Sequence, residues 1–245
     1  MMPINNFNNT RVKIYSTSKG IKIVDSPIKI QILSMLDGKT SEADIVNSTG
    51  KSKSTISVHL RSLIDEGVIN YKSHPLDRRS KLFYIVAEFI GEIFPDKIIF
   101  STPEIESSLT SQKNFSAELF RQYKSLLLYN GLSLWPLEVE VGENLGESLY
   151  KEFEYESLSE LIDLLVKSFD ELGLGKIKVS SEDPLIIKVT DCHECSGLQY
   201  NLPICNITRG IFKGVFSQYA GAPVTVEEVE CVSNYDDSCT FTIDF

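Results

Sequence analysis

Apolar residues recur between Lys51 and Glu66 with the period of an amphipathic α-helix. They fall at positions i, i+4, i+7 and i+8 of one face: Ile56, Leu60, Leu63 and Ile64. The opposite face is small, hydroxylic and basic, and it carries Lys51, Ser54, Ser57, Val58 and Arg61. Hydroxyls and arginine on such a face can reach base edges in the major groove of DNA, while lysine meets phosphate. Taken alone, however, the pattern favours an ordinary solvated helix.

The flanking segments place this helix in a larger motif. Upstream, Asp25-Ser26-Pro27 predicts the start of one short helix, and Ser41 with Asp44 predicts a capping-box start for a second. Downstream, residues 68–72 and 81–86 predict two strands joined by a basic turn. Two helices, a recognition helix and a β-hairpin with a basic tip follow the order of a winged helix-turn-helix.

The recognition-helix segment resembles a known family pattern. Thr55-Ile56-Ser57-Val58-His59-Leu60, followed by Gly67-Val68-Ile69, is similar to the signature of the ArsR-type branch of winged-helix DNA-binding domains, and the resemblance covers about residues 21–86. It implies a regulator that binds double-stranded DNA, with a homodimer placing one winged helix per subunit on a pseudo-palindromic operator. The candidate DNA-binding residues are Lys51, Lys53, Ser54, Thr55, Ser57, His59 and Arg61 on the major-groove side, and Arg78 and Arg79 on the minor-groove side.

Charge is distributed unevenly along the chain. The 245 residues carry a net charge of −10, but residues 1–86 hold 13 Lys/Arg against 7 Asp/Glu, a net of +6. Residues 87–245 hold the remaining 11 and 27, a net of −16. The N-terminal part can therefore bind phosphate, whereas the C-terminal part is not expected to offer a second DNA surface.

The domain organisation follows from length and from the change of pattern along the chain. The length and 42% hydrophobic content suit one large or two ordinary domains. We expect an N-terminal arm at 1–20, the winged helix-turn-helix domain at 21–86, a linker at 87–114 and a sensor domain at 115–245. The linker includes a candidate dimerisation helix built on Phe89, Ile90, Ile93 and Phe94. In the sensor domain helical spacing precedes strand-like runs, which predicts an α+β fold with an antiparallel sheet.

All five cysteines fall after residue 190. No apolar run approaches the roughly 20 residues that span a bilayer, and no signal-peptide pattern opens the chain, so we expect a cytoplasmic protein without membrane contact. In that compartment cysteines favour metal ligation or redox chemistry over a disulfide scaffold. The best-known ArsR-type metal sensors carry a Cys-x-Cys pair in or near the DNA-binding helices, and this chain departs from that pattern. Any sensing is therefore expected in the C-terminal domain.

The segment from Glu194 to Ile243 resembles the 4-vinyl-reductase type domain, a small-molecule-sensing module of bacterial and archaeal regulators. The resemblance covers about residues 115–245 and rests on these features: Cys205, Gly210, Gly214, Gly221-Ala222-Pro223-Val224, Glu228-x-x-Cys231 and Cys239. In phenol-sensing regulators with this domain, three cysteines and one glutamate hold zinc. The resemblance thus implies one structural zinc ion per chain, with four protein ligands: Cys205, Glu228, Cys231 and Cys239.

Zinc binding by these four residues requires an irregular backbone between Glu228 and Cys231. Glu228 and Cys231 have opposite strand parity, so a regular strand would point them to opposite faces. We therefore predict a bulge or a strand end near Glu230. The alternative is that Cys231 and Cys239 are merely buried cross-strand neighbours, since free cysteine packs as a small hydrophobe.

Cys192-His193-Glu194-Cys195 forms a separate CxxC motif. It is open to three interpretations: a reversible dithiol switch, additional metal ligands, or incidental cysteines at a strand end. Residues 16–27, STSKGIKIVDSP, beside this pair of domains resemble the MsvR-type redox-responsive regulators of methanogenic archaea. That resemblance implies redox control of DNA binding, with Cys192 and Cys195 as the candidate switch.

The sequence thus predicts a DNA-binding transcriptional regulator whose cysteine-rich domain senses thiol oxidation. One alternative is a regulator that senses a small-molecule effector and holds a purely structural zinc ion, with aromatic residues such as Tyr123, Tyr129, Phe169, Phe212 and Phe216 lining a pocket. A second alternative is a tetrapyrrole- or lipid-handling binding protein, or a reductase. Because the sequence has no nucleophile–base pairing, P-loop or dinucleotide fingerprint, we do not expect an enzyme.

Overall fold

The structure, a computed structural model, describes residues 11–75, 77, 79–94 and 112–245. These residues fall into two compact units, which are described separately. The first unit contains residues 11–94 and 131–134 of the described chain, and the second contains residues 112–130 and 135–245.

The described part of the first unit contains ten short elements. They are β1 (Val12–Thr17), β2 (Gly20–Val24), α1 (Pro27–Leu33), β3 (Thr40–Ser41), α2 (Glu42–Thr49), α3 (Lys53–Asp65), β4 (Ile69–Ser73), β5 (Lys81–Ile85), β6 (Glu88–Ile93) and β7 (Leu132–Ser133). Helices α1 to α3 and the antiparallel sheet β3-β5-β4 make the winged helix-turn-helix, as the sequence predicts. Its core is apolar and includes Ile32, Leu33, Ile45, Ile56, Leu60, Leu63, Val68 and Phe83.

Local capping signals set the starts of these helices. Pro27 occupies the first turn of α1, and at α2 both hydrogen bonds of the capping box between Ser41 and Asp44 are present. Helix α3 begins after Ser52, whose side chain accepts a hydrogen bond from the backbone N–H of Thr55 at 3.2 Å. Both predicted helix starts are therefore confirmed.

The prediction of a dimerisation helix around residues 89–94 is wrong. Residues 88–93 form strand β6, which pairs antiparallel with β1 in a second sheet of order β2-β1-β6-β7. A Cβ at Gly91 would meet the backbone oxygen of Ser133, so glycine permits the close approach of β7. Helical spacing of apolar residues could not reveal that β1, about 75 residues earlier in sequence, offers the backbone partners. The remaining linker residues, 95–111, lie outside the described residues.

The predicted N-terminal arm is part of that sheet. From residue 11 onward the described chain forms the β1–β2 hairpin, and β1 lies between β2 and β6. Arg11 also binds Glu92 of β6, with 2.9 Å between Nη1 and Oε1. Residues 1–10 of the predicted arm lie outside the described residues.

The second unit packs helices against one antiparallel sheet, so the predicted α+β class is confirmed. Its elements are α4 (Gln112–Tyr129), α5 (Trp135–Lys151), α6 (Leu158–Leu172), β8 (Lys176–Glu182), β9 (Leu185–Thr190), α7 (Asn206–Ala220), β10 (Thr225–Glu230) and β11 (Cys239–Asp244). The sheet order is β10-β11-β9-β8. Helix α5 begins at Trp135, and Pro136 lies in its first turn, where proline is tolerated.

Helices α5 and α7 approach each other very closely through glycine. A Cβ at Gly142 would meet the carbonyl oxygen of Ile207, and one at Gly210 would meet that of Val139. On the other side of α7 the core is aromatic: Phe169 stacks on Phe212 with 5.3 Å between ring centroids. Helix α7 is thereby fixed on both sides, and its N-terminus at Cys205 is held in place.

Among the described residues, no helix is long and apolar enough to cross a membrane.

Candidate metal centre and DNA-binding face

The five cysteines form one buried cluster. All five are free thiols with no solvent exposure. Neighbouring sulfur atoms lie 3.5 Å apart for Cys192 and Cys205, 3.2 Å for Cys195 and Cys239, and 3.6 Å for Cys205 and Cys231. The structure therefore brings the CxxC motif next to the three later cysteines, so the interpretation of its cysteines as additional metal ligands is compatible with the geometry.

Four different segments carry these side chains. Cys192 and Cys195 lie in the loop after β9, and Cys205 is the residue before α7. Cys231 follows β10, and Cys239 begins β11. Because these segments meet only in the folded unit, the cluster depends on the packing of α7 and the β10–β11 hairpin.

The predicted bulge in β10 is present. The pairing of β10 with β11 shifts register between Glu228 and Glu230, which places two residues of β10 against one of β11. The bulge allows Glu228 to point to the same side as Cys231, and Glu228 Oε2 accepts the backbone N–H of Cys205 at 2.9 Å. The bulge prediction is confirmed.

Two overlapping sets of four side chains could each hold a metal ion. One set is the predicted one, Cys205, Glu228, Cys231 and Cys239; the other consists of Cys192, Cys195, Cys205 and Cys239. In each set the ligand atoms lie within 4.8 Å of one another. Thiolate sulfur and carboxylate oxygen in groups of four suit tetrahedral zinc.

The glutamate of the first set is placed to meet a cation. Glu228 Oε1 is buried and has no hydrogen-bond partner among the described residues. Burial, and then the neighbouring Cys231, raise the pKa of Glu228 well above its ordinary value. An unpaired buried carboxylate oxygen is costly unless a cation or a donor meets it, so the donor set fits a metal ion.

Hydrogen bonds within the cluster shift the pKa values of its thiols. Those with Cys195, Cys205 and Cys239 lower the pKa of Cys192 and that of Cys231. Burial raises the pKa of Cys205. Close thiol groups whose pKa values are lowered by their neighbours are suited to binding a divalent cation.

Sequence reasoning missed a buried ion pair inside the CxxC motif. Glu194 Oε1 accepts the backbone N–H of Thr208 at 2.6 Å, and its Oε2 accepts that of Ile207 at 3.2 Å, both in the first turn of α7. Lys124 of α4, only 2% exposed, lies 3.0 Å from Glu194 and 3.0 Å from Glu138. Although burial lowers the pKa of Lys124, the two carboxylates raise it above its ordinary value. The position of Lys124 among apolar residues of a helix does not predict these partners, because Glu194 lies 70 residues away in the sequence.

The aromatic residues offered as a pocket lining are divided between core and surface. Phe169, Phe212 and Phe216 are buried and pack on each other, whereas Tyr123 and Tyr129 of α4 lie on the surface. Helix α4 buries its charged side and exposes apolar side chains, which is the reverse of the usual amphipathic pattern.

On the first unit, the predicted DNA-binding residues lie on or next to α3 and in the wing. Exposed side chains are Lys51, Lys53, Ser54, Thr55 and Arg61 on or next to α3, and Arg79 in the turn between β4 and β5. Ser57 and His59 are half-buried, and the Ser57 hydroxyl donates a hydrogen bond to Glu42 of α2. Arg78 lies outside the described residues.

Two further features of α3 suit base contacts. Val58 is 67% exposed in the middle of the helix, where an apolar side chain can meet a thymine methyl group. The hydroxyls of Ser54 and Thr55 lie 2.8 and 2.9 Å from Ser52 Oγ, so the first turn presents an ordered set of hydroxyls. That turn has no acidic residue.

Comparisons with known proteins match both ends of the chain. Residues 26–71 match the family model of the bacterial regulatory protein arsR family, and residues 185–245 match that of the 4-vinyl-reductase type domain. The chain joins an ArsR-family helix-turn-helix to a 4-vinyl-reductase type domain. The ArsR-family segment contains α1 to α3, so this is a DNA-binding protein of transcription regulation and its partner is double-stranded DNA.

The 4-vinyl-reductase type domain contains every candidate metal ligand. All five cysteines and Glu228 fall within residues 185–245, as does the bulge in β10. Lys124, which binds the CxxC glutamate, and Glu138, which also accepts a hydrogen bond from Lys124, precede the matched residues.

Two proteins of Methanocaldococcus jannaschii, both described as uncharacterized, are similar to this chain. One is 27% identical over 177 residues, which cover 67% of this chain and 91% of the relative; the other is 25% identical over 134 residues, covering 54% and 78%.

Two solved structures also resemble part of the chain. A vinyl-4-reductase family protein from M. jannaschii has a TM-score of 0.40 and 21% identity, and covers 57% of this chain and 85% of its own. The phenol-responsive sensory domain of the transcription activator PoxR, solved with phenol, has a TM-score of 0.44 and 15% identity, and covers 56% and 75%.

Proposed function

We propose that this regulator binds its operator through α3 and the wing, and that oxidation of the sensor-domain thiols lowers operator affinity. The observation that carries the proposal is the convergence of five free cysteines on one buried cluster. A cluster of close cysteine side chains is suited to both metal binding and disulfide formation.

On the DNA side, we place α3 in the major groove. Lys53 and Arg61 would meet phosphate and base edges, with the exposed hydroxyls of the first turn beside them. Arg79, with Arg78 next to it in sequence, would reach the minor-groove side from the wing. A homodimer would present two such helices to the half-sites of a pseudo-palindrome.

On the sensor side, zinc would be held by Cys205, Glu228, Cys231 and Cys239. When bound, zinc supplies a redox-inert cross-link between the start of α7 and the β10–β11 hairpin. The unpaired oxygen of Glu228 supports its assignment as the carboxylate ligand. All four ligands come from the protein, so the role is structural.

The redox step would take place at the CxxC pair, Cys192 and Cys195. Two thiols lose two electrons and two protons to a two-electron oxidant such as a peroxide, one S–S bond forms, and the peroxide is reduced to water. Both thiols are buried, but residues 191–205 contain no regular helix or strand. Local opening of this loop is therefore the expected route of access for the oxidant.

Glu194 offers a physical connection from this step to the rest of the sensor unit. It lies between the two cysteines and binds both the first turn of α7 and Lys124 of α4. A disulfide that moves the loop would strain these buried bonds. Helix α4 leads directly along the chain to β7, a strand of the first unit's sheet. We propose that this connection changes the spacing of the recognition helices in the dimer.

The test is operator affinity measured on one preparation, first reduced and then oxidised. The probe is a fluorescent duplex selected from a random library by the reduced protein, and metal content is measured on the same samples. We expect affinity to fall roughly tenfold on oxidation, a typical coupling between two sites, and to return with dithiothreitol. The variant Cys192→Ser/Cys195→Ser should bind the duplex equally in both conditions. Equal affinity of the wild-type protein in both states would rule out redox control, and no selected duplex at all would rule out sequence-specific binding.

A further inference from the structure

The two ligand sets of the cysteine cluster share an edge. Cys205 and Cys239 belong to both sets, and their sulfur atoms lie 3.6 Å apart. The CxxC pair belongs to one set only, and Glu228 with Cys231 belongs to the other. A thiolate sulfur has several lone pairs and can bind two soft or borderline metal ions at once. Two tetrahedra with a common edge are therefore a chemically sound occupancy of this cluster.

We propose that the cluster is a binuclear metal site in which Cys205 and Cys239 bridge two divalent ions of the zinc class. The CxxC pair completes the coordination of one ion, and Glu228 with Cys231 completes that of the other. This inference deepens the proposed function, on which it rests in one respect: the cysteines assigned to the redox step become metal ligands in the reduced protein.

The sulfur spacings fit shared tetrahedra. With thiolates about 2.3 Å from zinc, neighbouring sulfurs of a regular tetrahedron lie about 3.8 Å apart. The observed spacings are 3.6 Å for Cys205 and Cys231, 3.8 Å for Cys231 and Cys239, 3.5 Å for Cys192 and Cys205, and 3.2 Å for Cys195 and Cys239. Sulfurs on both sides of the bridging edge are thus close to the separation that coordination requires, and only the last contact needs to widen appreciably.

The burial of the CxxC pair favours ligands over a free dithiol. Cysteines that act as independent redox sensors are usually accessible to solvent. Cys192 and Cys195 are instead both 0% exposed and lie against the two bridging cysteines. Both side chains are thus placed as ligands for a metal ion on their own side of the cluster, together with Cys205 and Cys239.

The experiment is a metal count on the full-length protein, reduced under anaerobic conditions and loaded with Co²⁺. After desalting, we expect elemental mass spectrometry to count two cobalt ions per chain. The electron paramagnetic resonance signal should grow with the first equivalent and fall with the second, because thiolate-bridged cobalt ions couple antiferromagnetically. One ion per chain in the wild-type protein would overturn the proposal, as would two ions with uncoupled signals.

Matched variants locate each ion. Cys192→Ser/Cys195→Ser and Glu228→Gln/Cys231→Ser should each retain one cobalt, while Ser196→Ala, beside the motif but not a ligand, should retain two. Two ions in the first double variant would refute the assignment to the CxxC pair. Should a double variant fail to fold by circular dichroism, the wild-type count and signal still decide the matter.

These counts are independent of DNA. Two antiferromagnetically coupled ions, found together with operator binding that does not respond to oxidation, would support the binuclear site and refute the proposed redox function. One ion together with redox-sensitive binding would remove the binuclear site and leave the proposed function standing.

Discussion

The two units place their functional residues in opposite environments. In the winged helix, the core is apolar and the candidate DNA contacts are exposed on α3 and the wing. In the sensor unit, the candidate ligands and the Lys124–Glu194 pair lie inside the core itself. A DNA-binding surface can therefore change with little effect on folding, whereas the sensor residues serve stability and function together. Substitutions in the two units should separate these effects.

The largest effect is expected from a cysteine shared by both ligand sets. Cys205→Ser removes a ligand from each set, so we expect complete loss of bound metal. Structural zinc sites contribute apparent free energies on the order of 10 kcal/mol, comparable to the whole stability of a domain. The sensor unit should accordingly lose its cooperative unfolding transition in calorimetry, while Ser196→Ala should keep it. A metal-bound, cooperatively unfolding Cys205→Ser protein would contradict the shared-ligand assignment.

The next effect concerns the buried ion pair. Lys124→Met removes the cation from Glu194 and Glu138 and leaves buried carboxylate charge, so unfolding free energy should fall by about 3–5 kcal/mol. The matched control is Lys167→Met, which breaks the exposed pair with Glu171 on α6 and should cost less than about 1 kcal/mol. Urea denaturation of the two variants measures both values. Equal losses would mean that the buried pair has no special role.

These two tests concern contacts that could not be predicted from the sequence. The helix starts and the bulge in β10 could be predicted because their signals are local: Pro27, the pair Ser41 and Asp44, and the parity of Glu228. Strand β6 could not be predicted, because its partner β1 lies far away in sequence and the apolar spacing of β6 also suits a helix. Long-range packing decides such cases, and spacing alone carries no information about it.

The cluster illustrates the same limit within the candidate site. The predicted set comes together around one bulge and consists of Cys205, Glu228, Cys231 and Cys239. The resemblance to a family pattern was sufficient to predict it. The approach of the CxxC pair depends on how the loop after β9 packs against α7, where Glu194 binds the helix start. Nothing in the spacing of these motifs indicates that they meet.

A smaller effect is expected at the DNA-binding face, and on affinity alone. Arg61→Ala should weaken binding of the selected duplex by about 1–3 kcal/mol, roughly five- to 150-fold, with unchanged stability. Lys53→Ala should weaken binding of all duplexes and reduce the slope of log affinity against log salt by about 1. Fluorescence anisotropy over a salt series gives both. Wild-type affinity in both variants would show that α3 does not form the DNA interface.

The smallest effect is expected at the cap of the recognition helix. Ser52→Ala removes the acceptor for the backbone N–H of Thr55 and should cost about 1 kcal/mol of stability. Because the same oxygen orders the hydroxyls of Ser54 and Thr55, operator affinity should fall slightly as well. Ser52→Asp preserves the cap but adds charge next to phosphate, so it should restore stability and not affinity. Restoration of both would separate the cap from the DNA contact.

The most direct measurement follows operator affinity as oxidation of the cluster advances. Aliquots of the reduced full-length protein are exposed to increasing peroxide, and each is divided between anisotropy with the selected duplex and thiol alkylation with mass spectrometry. We expect affinity to fall in proportion to the fraction of chains in which Cys192 and Cys195 have become a disulfide. Constant affinity while that fraction rises to completion would contradict redox control by the sensor domain.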